Sequence, residues 1–262
     1  MTFKFLGTGT SVGVPQIGCK CEVCTSNDPR DKRRRCGAYV RTDEGAFLID
    51  TPPEMRVAAL EYGIDKVDAV VLTHSHMDHV AGFDDVRRFN TINGVMGPDG
   101  RIVGAPMNCY AMPETIEQMH RIFPYVKPQV NELGLYRPMI NFVEDDTFSV
   151  AGVQLKRLKV SHGFECCGYL IGGKIGYISD CNFLPEETIS SLQGIDVMIL
   201  NCLRQRPHPT HLNMDKALGY LERINPSKAY LIHMCHDFSH KKWLEMLPDG
   251  IEPAYDGLEI NI

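Results

Sequence analysis

The sequence predicts a layered α/β fold, and three observations carry that expectation. Short apolar or alternating runs bounded by Gly, Pro, Asp or Asn recur from one end of the chain to the other. Stretches with helical periodicity fall between them. No Pro- or Ser-rich linker, internal repeat or low-complexity tract divides the 262 residues, so one domain over residues 1–262 is expected.

Taken in order, strands are expected at residues 2–6, 38–42, 46–50 and 69–72, and again at 153–160, 169–171, 175–179, 197–200 and 229–232. The best helix signal places Leu212, Met214, Ala217, Leu218, Leu221 and Ile224 on one stripe, with Asn213 as its N-cap and Asn225-Pro226 as its stop. Residues 185–192, 113–123 and 53–62 carry weaker helical patterns, and the glycine-rich stretch 94–100 reads as a surface loop.

Composition removes several classes. Hydrophobic residues make up 44% of the chain, which suits a packed core. A net charge of −6 speaks against broad nucleic-acid affinity. No run approaches the roughly 18 apolar residues a membrane helix requires, and the opening Met1-Thr2-Phe3-Lys4 leads at once into Gly7-Thr8-Gly9, unlike a secretory leader. A cytoplasmic location is therefore expected, where the ten cysteines would serve metal binding or burial rather than disulfides.

The most informative segment is Thr73-His74-Ser75-His76-Met77-Asp78-His79, directly after the apolar run Ala69-Val70-Val71-Leu72. Three imidazoles and a carboxylate at a strand end suit transition metals, the aspartate suiting a second or harder ion. More candidate ligands stand where other apolar strands give way to polar loops: His162, Asp180 and His233.

This order of residues resembles the metallo-β-lactamase superfamily. The resemblance implies a four-layer αββα sandwich, two mixed sheets face to face with helices outside. It implies that His74, His76 and His162 hold one divalent metal, zinc or manganese, and that Asp78, His79 and His233 hold a second, with Asp180 bridging. Asp50 matches the aspartate that orients the histidines from behind. Such a set favours hydrolysis of phosphodiesters over redox work.

Gly18-Cys19-Lys20-Cys21-Glu22-Val23-Cys24 forms a cysteine-rich turn at 18–24 in which three thiols can converge on one structural zinc. His236 is the favoured fourth ligand, with Cys36 and Cys235 as alternatives. This turn and the His233-x-x-His236 ending resemble the branch that includes the phosphoribosyl 1,2-cyclic phosphate phosphodiesterases, which is related to the tRNA 3′-processing endonucleases. In that branch a histidine at the position of His211 contacts the scissile phosphate and, as a cation, assists the leaving group. His208 is the competing residue, and Asp78 joins His211 as the second catalytic candidate. The expectation is a metal-dependent hydrolase, a phosphodiesterase acting on a small cyclic phosphodiester. A tRNA-processing nuclease, a thioester or lactone hydrolase, and a non-catalytic metal-binding module are the alternatives. No nucleic-acid or membrane partner is expected, and a homodimer is compatible with the relatives. Lys32-Arg33-Arg34-Arg35 reads as a solvated face, and Arg87 and Arg88 as residues that hold the segment after the histidine cluster. Gly7-x-Gly9 lacks the full glycine pattern of a phosphate loop, and His120 and His240 read as surface or core residues.

Overall fold

The computed structural model describes residues 1–98, 100, 102–127 and 137–262. The first part of the chain builds β1 (Thr2–Gly7), β2 (Gly37–Arg41), β3 (Ala46–Ile49), β4 (Ala69–Val71), the small hairpin of β5 (Val95–Met96) and β6 (Ile102–Val103), then β7 (Met107–Tyr110) and β8 (Ile140–Val143). The second part builds β9 (Thr147–Val150), β10 (Val153–Ser161), β11 (Glu165–Ile171), β12 (Ile175–Ile178), β13 (Val197–Asn201), β14 (Lys228–Ile232) and β15 (Ile251–Pro253), and β16 (Glu259–Asn261) returns to pair with β1. Among the described residues β5 and β6 pair only with each other, and the other strands form two seven-stranded mixed sheets, ordered β16-β1-β2-β3-β4-β7-β8 and β15-β14-β13-β12-β11-β10-β9.

Alternation along the strands explains the layers. In β3, Phe47 and Ile49 point into the core shared by both sheets, while Ala46 and Leu48 point to an outer core beneath helices. In β13, Val197 and Ile199 enter the shared core, and Met198 and Leu200 face a second outer core. A strand buried on both faces reads as a continuous apolar run, as these two do. The longer β10 alternates buried and exposed positions instead. The helices are α1 (Glu22–Thr25), α2 (Met55–Glu61), α3 (Met77–Val80), α4 (Arg87–Ile92), α5 (Pro113–Ile122), α6 (Glu186–Leu192), α7 (Met214–Ile224) and α8 (His240–Met246). On α7 the Asn213 side chain accepts from the Lys216 amide at 3.4 Å, and Asn225 ends the helix in a left-handed conformation, φ 52°. The expected αββα sandwich is the fold observed.

Three expectations need correction. The sequence reading passes over β7, β8, β9, β15 and β16, four of which lie at sheet edges. An edge strand packs against one neighbour only, so it tolerates short runs and residues such as Pro253 that would mark a turn elsewhere. The stretch 94–100 is not wholly loop, because Val95–Met96 pairs antiparallel with Ile102–Val103. The basic run is not a solvated face. Arg33 is buried, and its guanidinium donates to Thr8 Oγ1 at 3.0 Å and to the Ala254 carbonyl. Arg34 and Arg35 pair with Glu61 and Glu54. His240 is buried at the start of α8, its amide donating to Asp31 at 2.6 Å.

Candidate metal centre

The candidate ligands gather where strands of both sheets end. Asp50 follows β3, His162 follows β10 and His233 follows β14 directly, while Asp180 stands two residues beyond β12. His74 lies just past β4, and Asp78 and His79 occupy the short helix α3 that the next turn nucleates. Convergence at the carboxyl ends of strands is where α/β sheets commonly leave room for a ligand. Two of these positions are strained: Asp50 has φ 60° and His233 φ 59°, left-handed conformations that non-glycine residues rarely adopt. Strain of this kind persists only where the surroundings over-determine it.

Two groups of donor atoms result. One comprises His74, His76, His162 and Asp180, the other Asp78, His79, Asp180 and His233, and within each group the donor atoms lie within 4.8 Å of one another. Asp180 divides its oxygens between them. Oδ2 faces His74 Nε2 at 4.0 Å and His162 Nε2 at 3.5 Å, whereas Oδ1 faces His79 Nε2 at 3.2 Å and His233 Nδ1 at 3.1 Å. Yet His74 Nε2, His79 Nε2, Asp180 Oδ1 and both ring nitrogens of His233 are buried without a hydrogen-bond partner. Each such atom costs about 1–3 kcal/mol unless something completes it, so clustered lone pairs of this kind fit a pair of cations. Burial holds His74 well below the usual imidazole range, in the neutral form a metal requires. For Asp180, burial alone would raise the carboxyl, but His233 and His79 outweigh it and keep the group ionised.

A layer behind the ligands fixes which nitrogen each ring presents. Asp50 Oδ2 accepts from His79 Nδ1 at 2.7 Å and from the Thr73 hydroxyl at 2.8 Å, while its Oδ1 takes the Thr73 amide at 2.8 Å. The Thr73 oxygen in turn lies 3.0 Å from His74 Nδ1, so it accepts that proton. His162 Nδ1 donates to the Thr210 carbonyl at 2.6 Å. All three rings are thereby left with Nε2 lone pairs facing Asp180, the arrangement that orients histidine ligands in metal sites. Sequence reading finds Asp50 but misses Thr73 and Thr210. Thr73 carried a signal, a hydroxyl at the strand end beside His74; the Thr210 contribution is a backbone carbonyl, which any residue would offer.

His211 belongs to the same cavity. Its ring is 4.5 Å from that of His162 and stacks on His233 at 4.7 Å, and its Nδ1 lies 3.8 Å from Asp180 Oδ2. Burial, reinforced by His233, pushes its pKa down to about 3. Burial thus opposes the cationic role expected of this ring and favours its neutral form, which can still donate a hydrogen bond. His208 sits 5.0 Å from His211 and nearer the surface, its Nδ1 accepting from the Thr210 amide at 3.3 Å.

The cysteine turn and His236 come together in space. Cys19, Cys21 and Cys24 place their sulfurs 3.4, 3.5 and 3.2 Å from His236 Nδ1. Cys36 is engaged elsewhere, donating to the Gly9 carbonyl at 3.4 Å, and neither it nor Cys235 joins the group. The Cys24 amide, donating to the Cys21 sulfur at 3.4 Å, helps draw that thiol down to about 7, favouring the thiolate a metal takes.

A family model for the beta-lactamase superfamily domain matches residues 46–234. A solved diphosphatase of the PhnP family is 36% identical, with a TM-score of 0.86 over 100% of this chain and 97% of that one. Zinc-bound PqqB of Methylobacterium extorquens, at 20% identity, shares the fold with a TM-score of 0.77 over 100% of both chains. A relative named octanoyltransferase, from Porphyromonas gingivalis, is 36% identical over 264 residues, 98% of this chain and 51% of the relative. The chain thus spans about half the length of that relative. The chain belongs to the beta-lactamase superfamily and, within it, to the PhnP family, and it carries the fold of a metal-dependent hydrolase.

Proposed function

We propose that this member of the beta-lactamase superfamily hydrolyses a small phosphodiester, cyclic phosphodiesters included, at a centre of two divalent cations. Zinc or manganese would occupy the histidine and aspartate groups, and one structural zinc the cysteine turn. The observation that carries the reading is Asp180, whose two oxygens each face a separate nest of orphaned imidazoles. Two cations held there would supply a water of lowered pKa and positive charge for the phosphoryl oxygens. Asp180 would keep the two groups at a fixed separation. Asp50 and Thr73 would hold the proton on the far nitrogens of His79 and His74. Asp78 would complete the second group from the open side, being its one member that is not fully buried, as His76 is of the first group. His211, neutral and buried among His162 and His233, would donate a hydrogen bond to a phosphoryl or departing oxygen.

The diphosphatase relative supports phosphorus chemistry, and zinc-bound PqqB shows that a protein of this fold holds zinc. An acyl-transfer reading rests on the octanoyltransferase name, borne by a protein of about twice the aligned length. Covalent acyl transfer through Cys36, Cys166, Cys181 or Cys202 is disfavoured, because burial raises these thiols far from thiolate formation. The test is turnover of bis(p-nitrophenyl) phosphate by metal-replete protein. Metal-dependent hydrolysis that persists in high salt fits a small-ester enzyme. A preference for RNA with a steep salt dependence would favour a nuclease instead, and hydrolysis of thioesters or lactones alone would refute the phosphodiesterase reading.

A further inference from the structure

The candidate centre is closed on most sides, since His74, His79, His162, Asp180 and His233 are buried. It opens at His76 and Asp78, and whatever enters must pass the side chains there. Two are apolar and exposed, Met77 between those two ligands and Phe164. The rings that Phe164 meets are imidazoles: His76 at 5.1 Å, His162 at 5.7 Å and His74 at 6.1 Å between centroids. Even so, 42% of Phe164 remains exposed.

Its place is fixed by the turn that presents His162. Ser161 pairs with Glu165 across the β10–β11 hairpin, and the His162 amide donates to the Phe164 carbonyl at 2.9 Å. Gly163 makes the turn with φ 86°, and a Cβ there would come within 3.2 Å of the Thr210 side chain. The flanking Ser161 amide is strapped to the Phe183 carbonyl at 3.0 Å, and His162 itself to Thr210. The backbone of Phe164 is thereby tied to that of a candidate ligand. A partly bare aromatic ring two residues from that ligand, on the open side of the site, has the properties of a stacking platform. Aromatic rings gain about 0.5–1.5 kcal/mol from offset or edge contacts beyond simple burial, and bases stacked on protein aromatics about 1–3 kcal/mol each.

We infer that Phe164 is a specificity residue that receives a planar aromatic group carried by the phosphate ester, a nucleobase or an aryl ring, while the phosphate lies over the two histidine and aspartate groups. The inference rests on the phosphate-binding part of the reading above and narrows its substrate class to esters bearing a π-system within a few bonds of phosphorus.

The test is calorimetric titration of metal-replete protein with adenosine 5′-monophosphate, phenyl phosphate and ribose 5-phosphate, beside Phe164→Ala and Phe164→Trp. Wild type should bind at least one aromatic phosphate about tenfold more tightly than ribose 5-phosphate, the factor that about 1.4 kcal/mol gives. Preference for the adenosine ester alone identifies a nucleobase, and preference for the phenyl ester alone an aryl group. Phe164→Ala should erase the preference while leaving ribose 5-phosphate affinity unchanged, and Phe164→Trp should keep it. Equal affinity of wild type for all three, binding of none, or an equal loss on all three in Phe164→Ala would overturn the inference. Hydrolysis is measured separately with bis(p-nitrophenyl) phosphate: a binding preference erased in Phe164→Ala stands even if no diester is turned over, and turnover without such a preference leaves the phosphodiesterase reading intact.

Discussion

The two clusters that could hold metal come within three residues of each other in the chain, at His233 and His236, yet they are built on opposite lines. The histidine and aspartate cluster sits at the ends of β3, β4, β10, β12 and β14, so rigid strands from both sheets aim its donors. It is buried, joined by one shared carboxylate, oriented from behind by Asp50, and open at His76 and Asp78. The cysteine cluster is drawn from a turn, the one-turn helix α1 and a loop, is half-exposed at Cys19, Cys21 and His236, and directs three thiols at one imidazole. Four soft donors with no open position hold a structure together; a shared carboxylate with an open side leaves room for a substrate. The difference teaches that the burial and rigidity of a ligand set, more than its closeness in sequence, separate a centre for chemistry from a staple.

Substitutions can break this comparison, beginning with the largest effect. Asp180→Ala removes the only residue common to both groups, and hydrolysis of bis(p-nitrophenyl) phosphate should fall to background; retention of more than a tenth of the activity would refute its bridging place. His211→Ala should lower kcat by about 10²–10³, the span for losing one hydrogen-bond donor to developing charge, with metal content unchanged by elemental analysis. Asp50→Asn keeps the shape but disturbs the proton placement on His79 and Thr73, so metal affinity or activity should drop about 10–100-fold. His236→Ala should act in the other direction on the two properties. Melting temperature of the metal-loaded protein should fall and its zinc content should drop by one equivalent, while activity per folded, metal-loaded molecule stays within a few-fold of wild type. The Arg33 network offers a further check, on a residue whose backbone pairs with Val14 beside the cysteine cluster but whose side chain points to Thr8 and Ala254. Arg33→Met strips the buried contacts to Thr8 and Ala254 and should destabilise by about 1–3 kcal/mol in urea unfolding, with active-site metal content intact.

How much of this was legible in the sequence followed from distance along the chain. His74, His76, Asp78 and His79 declare themselves because six residues carry all four, and His162, Asp180 and His233 because each ends an apolar run. The fourth member of the cysteine group stayed open among His236, Cys36 and Cys235, since spacing says nothing about a partner 212 residues from Cys24. The Arg33 environment was invisible for the same reason: Thr8, Ala254 and His240 are local to it only after folding. Central strands such as β3 and β13 were readable from continuous apolar runs, whereas β8, β9, β15 and β16 lay at edges where packing constrains sequence weakly. The downward pull of burial on His211 was not legible, because an isolated histidine near a helix start looks solvated.

The most direct test of two separate centres is the metal content of purified wild type, Asp180→Ala and His236→Ala, measured after dialysis against metal-free buffer. The account expects three metal equivalents in wild type, one zinc retained in Asp180→Ala at the cysteine turn, and two retained in His236→Ala. Joint loss of all metal in either variant, or a single equivalent in wild type, would contradict it.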